Sequence, residues 1–429
     1  MQKLVRSFTA LLCTSLAGLQ ISILHSLNTK STQQELSIIR LQSVKSTSQS
    51  TSNKIEQNKP HQFTTTQCSC DCAETQCNPD ISFGIADIKF DGNTLKILEL
   101  GEGTRSMFEG FDSINGWGSM WQRIWQFLFD QNKDIFFVDY DLNTPDKRKA
   151  IAYTALIEHS GRAFNNLREL AHHQPLLALI NRAQRPLVVI RHEAANQHEI
   201  KKFNRDFPQL LICNAVIAPF VNNKQFTDLL FTPPLRASRP YAICIPKRDA
   251  PGMAKQILTE CPAKAFVIKP LTGCKGEGII FTPRAQLAST LTKLFGPRQR
   301  GPQSPTAEFI YWDTDRHNMH ALIESCEQSK PVIVDGKKYD ATLRTVFGLT
   351  HADGLITTTI FGSYWKLPVK SRDEKGTLLE KKLSHISTTH RSAAPLSPDD
   401  ETTINSSLPP LLASLYSNMI KNKTRLDRN

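Results

Sequence analysis

Two apolar runs separated by a polar turn form the clearest pattern in the first third of the chain. Residues 81–90 and 94–100 have strand character, and Asp91-Gly92-Asn93 lies between them. An Asp-Gly pair between two such runs favours a tight turn. The pattern therefore predicts a β-hairpin.

A helical repeat follows at residues 120–129. Its apolar residues recur at positions i, i+3, i+4 and i+7, namely Trp121, Ile124, Trp125 and Leu128. This spacing predicts an amphipathic helix. We interpret its aromatic stripe as core packing rather than a cofactor site, because large aromatic side chains at helical spacing are usually buried.

Beyond residue 134, apolar runs alternate with helical segments. Strands are predicted at residues 135–140, 186–191 and 210–215, and helices at residues 144–173, with a break at Ser160-Gly161, and at residues 198–207. Alternation of this kind predicts an α/β layer whose strands run parallel.

After residue 240 the pattern changes to shorter strands. They are predicted at residues 241–246, 265–269, 279–282, 309–312 and 320–324, with helices at residues 252–261 and 286–294. Residues 339–349 and 355–361 are predicted to pair as an antiparallel hairpin across the turn at residues 351–354. A last helix is predicted at residues 405–420.

The composition is that of a folded protein. Of 429 residues, 40% are hydrophobic and 8% are aromatic, which excludes a chain that is disordered throughout. The formal net charge of +12 is dispersed rather than gathered in one Lys/Arg tract. We therefore favour a site for phosphate or carboxylate anions, together with a basic N-terminal segment, over nucleic-acid binding.

The N-terminal segment differs from the rest of the chain. Residues 1–54 contain six Lys or Arg residues and one acid, Glu35. Residues 8–27 are interrupted by polar side chains, which disfavours a stable membrane span. Residues 1–28 are interpreted as a leader, either secretory, with Ser15-Leu16-Ala17 as a cleavage site, or transit-like; an uncleaved tail is a third alternative. Residues 29–79 are predicted to form a disordered linker.

Four cysteines crowd into this linker: Cys68, Cys70, Cys72 and Cys77. Thiolates at such spacing can hold zinc or copper(I), and in an exported protein they can pair as disulfides. The spacing is not the paired CxxC of a zinc ribbon. We interpret the cluster as a feature of the linker and leave its redox and metal state open.

The strongest chemical signal is a strand that ends in a lysine and is followed by glycines. Residues 266–270 read Phe-Val-Ile-Lys-Pro, and Gly273, Gly276 and Gly278 follow Lys269. Glycines let the backbone approach phosphate oxygens, and successive N–H groups in such a loop bind anions. Neither GxxxxGK[ST] nor GxGxxG is present, so two common nucleotide fingerprints are excluded.

These residues resemble the ATP-grasp superfamily, over about residues 134–366. The resemblance implies that ATP is bound by Lys247, Lys269, Gly273, Lys275, Gly276 and Gly278. Residues 320–324 (HALIE) resemble the strand that ends in the hinge glutamate, which implies that Glu324 faces the ribose or adenine. Residues 337–344 (KKYDATLR) resemble the segment whose arginine, here Arg344, meets the γ-phosphate or an acyl phosphate.

The family's metal-bearing strand is missing from its usual place after residue 366. Residues 86–99 instead carry its pattern of Asp, turn, apolar strand and Glu. The resemblance therefore implies that Asp87 and Glu99 hold Mg²⁺, and that the chain is circularly permuted. Gly101 stands where the family has Asn, and Glu102 is the candidate substitute oxygen ligand.

The fold class implied is α/β with an α+β core. A parallel pre-grasp α/β domain is expected at residues 131–235 and an ATP-grasp domain at residues 236–395. The hairpin and helix of residues 80–130 are expected to contribute to the grasp sheet, and residues 396–429 to form a C-terminal helix. Residues 218–226, which contain Asn223-Lys224, resemble the junction between the two domains.

The implied function is an ATP- and Mg²⁺-dependent ligase that activates a carboxylate as an acyl phosphate for attack by an amine or another nucleophile. The expected partners are a small-molecule or peptide carboxylate and an amine, with Arg236, Arg239 and His385 as candidate substrate contacts. The alternative is a non-catalytic nucleotide-binding effector module. A protein kinase is disfavoured, because neither HRD nor DFG occurs. Because ATP is scarce outside cells, we expect a cytoplasmic compartment; the oligomeric state is left open.

Overall fold

The structure is a computed structural model. It describes residues 64–69, 80–102, 108–130, 135–138, 163–172, 187–190, 197–208, 210–221, 223–272, 276–296, 311–312, 319–384 and 392–426. Contacts divide the chain into Met1–His61 and Gln62–Asn429, and all described residues belong to the second unit.

The strands of the described residues are numbered in chain order. They are β1 Thr64–Ser69, β2 Asp80–Phe90, β3 Leu95–Glu102, β4 Ile135–Val138, β5 Ala163–Phe164, β6 Leu187–Ile190, β7 Leu211–Ile212, β8 Ala242–Pro246, β9 Ala265–Pro270, β10 Ile280–Pro283, β11 His320–Ser325, β12 Val332–Val334, β13 Lys337–Tyr339, β14 Thr342–Ala352, β15 Leu355–Lys366 and β16 Ala393–Ala394.

The helices are numbered in the same way. They are α1 Glu109–Asn115, α2 Ser119–Asp130, α3 Leu167–His172, α4 Gln197–Asp206, α5 Ala218–Val221, α6 Lys224–Leu229, α7 Ala250–Glu260, α8 Leu287–Phe295, α9 Leu378–Lys382 and α10 Pro398–Leu426. Short 3-10 turns occur at Leu235–Ser238 and Arg284–Gln286.

The largest sheet, here called the central sheet, joins segments that are far apart in the chain. Its order is β1–β15–β14–β2–β3, with β16 paired to β15, and neighbouring strands are antiparallel. Arg344 on β14 lies opposite Asp87 on β2, and Asp87 lies opposite Glu99 on β3. The predicted N-terminal hairpin is therefore confirmed, and it lies beside Arg344.

Both faces of the central sheet are covered, so β2 is buried along its whole length. One face packs against α2, whose predicted apolar stripe is buried: Trp121, Ile124, Trp125 and Leu128. The opposite face packs against α10. Because both faces are covered, the polar residues of β2 (Asp80, Ser82, Asp87 and Lys89) are buried along with its apolar ones.

A buried polar group connects α10 to the start of β2. The hydroxyl groups of Tyr416 and Ser82 both donate to the Asp80 carboxylate, with 2.8 Å between Ser82 Oγ and Asp80 Oδ2. His351 lies opposite Asp80 in the β14–β2 register and is also buried. We call these four residues the Asp80 cluster.

A second sheet has the order β10–β9–β11–β8, with antiparallel neighbours. Helices α7 and α8 cover one face, where Phe266 and Ile268 of β9 join the core. Successive side chains of a strand point to opposite faces. Lys269 therefore lies on the other face, together with Glu324 of β11.

The third sheet confirms the predicted parallel layer. Its order is β5–β4–β6–β7, and each pair is parallel. With helices beside antiparallel and parallel sheets, the predicted α/β class is confirmed.

Three local predictions are wrong. Thr64–Ser69, expected in a disordered linker, forms β1, because its β-branched threonines suit a strand and pair with β15. Within the helix expected at residues 144–173, a short strand forms at Ala163–Phe164 before α3. Tyr311 and Trp312, expected in a strand, are helical, and the Trp312 ring packs edge-on against Phe295.

Several predictions fall outside the described residues. They concern residues 1–28, the Cys68 side chain, Cys70, Cys72, Cys77, Gly273, Lys275 and His385. Within the stretches that are described, no helix is both long enough and apolar enough to cross a membrane.

Candidate functional site

Glu324 is the centre of a buried ion-pair cluster on the second sheet. Its carboxylate pairs with Arg239 Nη2 and with Lys269 Nζ, and the Glu324 and Arg239 side chains are each 1% exposed. Burial alone would raise the pKa of Glu324, but the two cations hold it below its ordinary value. This Glu324 cluster therefore keeps an ionised carboxylate directly beside the predicted phosphate-binding Lys269.

Asp87 is the centre of a second ion-pair cluster, on the central sheet. Arg344 donates to it in a bidentate manner, with Nε–Oδ1 and Nη2–Oδ2 distances of 2.7 and 2.8 Å. Lys366, at the end of β15, donates to Oδ2 at 2.9 Å. Burial would raise the pKa of Asp87, yet these two cations lower it strongly. This Asp87 cluster fixes the guanidinium of Arg344 in one orientation.

The two clusters are joined through β3. Arg239 Nη1 donates to the carbonyl oxygens of Ile97 and Leu98, at 2.9 and 2.5 Å. One residue further along, Glu99 lies 3.7 Å from Lys224 Nζ. The backbone N–H of Lys224 in turn donates to Leu271 O, two residues beyond Lys269. The Lys269 and Arg344 regions are therefore connected by direct contacts.

A third carboxylate, Asp340, lies between β13 and β14. Lys89 Nζ donates to Asp340 Oδ1 at 3.1 Å, and Lys382 of α9 pairs with Oδ2. Burial would raise the pKa of Asp340, but Lys89 and Lys382 lower it. This Asp340 cluster adjoins the Asp87 cluster, since Lys89 is two residues beyond Asp87 on β2.

The three clusters share an excess of buried positive charge, which at Arg239 is partly balanced by Asp228, 3.3 Å away and 19% exposed. Each of the three carboxylates is paired with two cations whose side chains are at most 10% exposed: Arg239 and Lys269, Arg344 and Lys366, Lys89 and Lys382. Removing charges from water costs free energy unless opposite charge compensates them. Burial lowers the pKa of Lys366 accordingly. An anionic ligand would supply the missing negative charge.

The glycines after Lys269 form a tight turn at residues 276–278, here called the glycine turn. Gly276 and Gly278 have φ values of +81° and +68°, a backbone conformation that other residues rarely adopt. A Cβ atom at Gly278 would lie 2.4 Å from the Tyr311 ring, and one at Gly276 would lie 3.0 Å from Leu383. The turn is therefore packed so closely on both sides that glycine is required.

The other predicted nucleotide and substrate residues lie around this centre. Lys247 Nζ lies 5.0 Å from the centroid of the Trp312 ring. Arg236 pairs with Asp228 at 2.8 Å and keeps 37% of its side chain exposed. Arg239 is the buried partner of Glu324. Glu324, predicted to face the ribose or adenine, also holds the ammonium group of Lys269 in place.

The predicted metal ligands are brought together only in part. Asp87 and Glu99 are cross-strand neighbours, whereas Glu102 lies opposite Gly84. In the part of the chain that the structure describes, no three His, Cys, Asp or Glu side chains form a group that could hold a metal ion. Mg²⁺ is commonly held by one or two carboxylates together with substrate phosphates. The Asp87–Glu99 pair fits that donor set, and Glu102 does not join it.

Four lysines escaped prediction as site residues: Lys89, Lys366 and Lys382 in the clusters, and Lys224 beside Glu99. Lys366 precedes Leu-Pro at the end of β15, much as Lys269 precedes Pro270 at the end of β9, and this shared pattern was a usable signal. Lys224 belongs to the Asn-Lys segment that resembled a domain junction. Lys89 carries no motif, because only the pairing of β2 with β14 brings it to Asp340.

Comparison with known proteins finds similarity among solved structures only: no family model and no curated protein matches the chain. D-cycloserine synthetase DcsG is 13% identical, with a TM-score of 0.35, over 67% of this chain and 81% of that chain. A putative gamma-glutamylcysteine synthetase from Methylobacillus flagellatus is 10% identical, with a TM-score of 0.37, over 80% and 89%.

A third similar structure is the biotin carboxylase domain of 2-oxoglutarate carboxylase from Hydrogenobacter thermophilus, in complex with ADP, magnesium and bicarbonate. It is 12% identical, with a TM-score of 0.31, over 70% of this chain and 56% of that chain. Similarities this low assign no role to any residue of this chain.

Proposed function

We propose that this chain is an ATP-dependent ligase of the ATP-grasp type. The observation that carries the proposal is that each of three buried carboxylates is paired with two buried cations, one of which, Lys269, lies on the strand that leads to the glycine turn. A triphosphate is an anion of suitable charge for such an excess, and a glycine turn presents backbone N–H groups to its oxygens.

In this proposal the two sheets hold different parts of the nucleotide. Lys269, Lys247 and the glycine turn of the second sheet bind the phosphates, with Glu324 near the ribose or adenine. Arg344 of the central sheet binds the transferring phosphoryl group, because a planar guanidinium suits paired oxyanion contacts. Asp87 orients Arg344 for that contact.

The proposed reaction has two steps. A substrate carboxylate oxygen attacks the γ-phosphorus, the bond to the bridging oxygen breaks, and ADP leaves with the formation of an acyl phosphate. An amine or another nucleophile then attacks the acyl carbon, inorganic phosphate leaves, and the nucleophile loses a proton. The protein contributes position and positive charge, which are the main catalytic factors in phosphoryl transfer.

Magnesium is included in the proposal. Asp87 and Glu99 would hold Mg²⁺, which would neutralise phosphate charge. In the described structure both Asp87 oxygens accept hydrogen bonds from cations. Asp87 would therefore hold Mg²⁺ only after giving up one of these hydrogen bonds, and it would orient Arg344 through those that remain.

The chain order forms part of the same proposal. The β2–β3 hairpin precedes the parallel sheet in the chain, yet in space it adjoins β14, which carries Arg344. A circular permutation of an ATP-grasp protein would produce this order, with the metal-bearing hairpin moved to the front.

The direct test is ATP binding by Lys269→Ala, measured by titration calorimetry. We expect the affinity to fall at least about tenfold, because a hydrogen bond to a charged group contributes about 1.5–3 kcal/mol. Lys255→Ala is the matched control, since it removes the same charge from the exposed surface of α7. An affinity for ATP that is equal in the two variants contradicts the phosphate assignment.

A second candidate function is a non-catalytic nucleotide-binding module. It is favoured by the occupation of both Asp87 oxygens by Arg344 and Lys366. The two functions are distinguished by incubating the protein with ATP, Mg²⁺ and mixtures of carboxylates and amines, and measuring the release of ADP. ADP release by the wild-type protein, lost in Arg344→Ala, supports the ligase; ATP binding with no release in any mixture supports the module.

A further inference from the structure

Trp312 contacts the glycine turn and a predicted phosphate-binding lysine at once. Its indole N–H donates to Gly278 O at 2.8 Å. Lys247 Nζ lies over its ring, 5.0 Å from the centroid. The indole is 6% exposed, and its ring packs edge-on against Phe295 of α8, at 5.2 Å between centroids. Trp312 thus links two parts of the site to the core of the second sheet.

Tyr311 supports the same region from the adjacent position. Its ring occupies the space that a side chain at Gly278 would need. Its hydroxyl group lies 3.5 Å from the carbonyl oxygen of Thr272, which precedes the glycine-rich residues 273–278. These two aromatic residues therefore contact the chain both before and after that segment.

The geometry matters because backbone N–H groups bind phosphate only when the turn holds its shape. The N–H of Ile279 donates to Gly276 O at 3.2 Å, which closes the turn internally. The turn's glycines have many conformations available to them, so ordering them costs conformational entropy. The hydrogen bond from the Trp312 indole to the Gly278 carbonyl oxygen selects one conformation of the turn before a nucleotide binds.

We propose that Trp312 is a positioning residue that holds the glycine turn and the Lys247 ammonium in one arrangement for nucleotide phosphates. This inference rests on the proposed function. The indole N–H of Trp312 fixes the conformation of the glycine turn, and the face of its ring fixes the position of the Lys247 ammonium group by a cation–π contact. It predicts that Trp312 affects nucleotides through their phosphates and not through their base.

The test is Trp312→Phe, which removes the N–H donor and keeps a ring against Phe295 and Lys247. We expect the dissociation constant for ATP to rise roughly threefold to tenfold, the effect of losing one neutral hydrogen bond. The dissociation constant for adenosine, which has the base and no phosphate, should stay unchanged. Trp117→Phe is the matched control, since Trp117 is 45% exposed and the substitution is identical.

Hydrogen exchange without nucleotide tests the turn directly. The Ile279 amide should exchange faster in Trp312→Phe than in the wild-type protein or Trp117→Phe. Unchanged exchange overturns the inference, and so does an equal loss of ATP and adenosine affinity, which would mark a general structural defect.

The two proposals can fail separately. If Lys269→Ala loses ATP affinity while Trp312→Phe keeps it, the positioning role is wrong and the proposed function stands. If neither variant loses affinity, the proposed nucleotide site is wrong, and with it the positioning role.

Discussion

Strand β2 carries a buried aspartate near each end, and the two have opposite electrostatic surroundings. Asp80 is 9% exposed and accepts hydrogen bonds from the Ser82 and Tyr416 hydroxyl groups. Asp87 is 6% exposed and pairs with Arg344 and Lys366. Burial raises the pKa of Asp80, whereas the two cations lower that of Asp87 despite its burial.

The difference shows that burial alone does not decide the charge of a carboxylate; its partners do. At the Asp80 end the hydrogen bonds attach α10 to the central sheet, so the group has a structural role. At the Asp87 end two cations pair with one carboxylate, and in the proposed function Arg344 binds the transferring phosphoryl group. Strongly shifted groups in an excess of one charge are a usual sign of a functional site.

The largest expected effect is that of Asp87→Ala. It leaves Arg344 and Lys366 buried side by side without their shared counter-charge. We expect the free energy of unfolding to fall by about 3–5 kcal/mol, the usual cost of breaking a buried pair from one side. Urea denaturation measures it, with Asp80→Ala for comparison. If Asp80→Ala lowers the free energy of unfolding as much as Asp87→Ala does, the proposed difference between the two ends of β2 is wrong.

Acidification should reveal the same contrast in the wild-type protein. The pKa values of Asp87, Glu324 and Asp340 are lowered on folding, so their contribution to stability is present above their unfolded pKa of about 4. That contribution is lost as the pH falls below about 4 toward the folded values. Urea denaturation at a series of pH values should show this decline, and Asp87→Ala should make it shallower. An equally steep decline in the variant contradicts the assignment.

The smallest effect is expected for Asp80→Asn. Because the pKa of Asp80 is raised, its ionised form destabilises the fold, and an amide keeps an acceptor for Tyr416 without the charge. At pH 8 we expect the free energy of unfolding of Asp80→Asn to exceed that of the wild-type protein by on the order of 1 kcal/mol, a typical size for one substitution. The gain should shrink as the pH falls and wild-type Asp80 takes up its proton. A loss of stability at both pH 5 and pH 8 contradicts this reading.

Local elements were predictable because their signals are local. The Asp-Gly turn between two apolar runs identified the β2–β3 hairpin, and a four-residue aromatic and aliphatic repeat identified α2. The placement of that hairpin beside Arg344 followed from the family resemblance, which linked Asp87 and Glu99 to the metal-bearing strand. Periodicity alone does not predict which distant strands pair.

The remaining features depend on contacts between residues far apart in the chain. Thr64–Ser69 has a polar sequence and becomes a strand because β15 offers its edge. Lys366 becomes a partner of Asp87 only when β15 lies beside β14 and β14 beside β2. Trp312 contacts the glycine turn across a gap of more than thirty positions, so no motif pointed to it.

The order of strands in the central sheet also determines when it can form. The β2–β3 hairpin is complete once residue 102 has been synthesised, but its partner β14 begins only at Thr342. At about 5–20 residues per second, translation reaches β14 on the order of tens of seconds later. Until then one edge of β2 lacks its partner, and an unpaired strand edge favours aggregation. We therefore expect the nascent protein to depend on chaperones that cover β2 while the ribosome is still making the glycine turn.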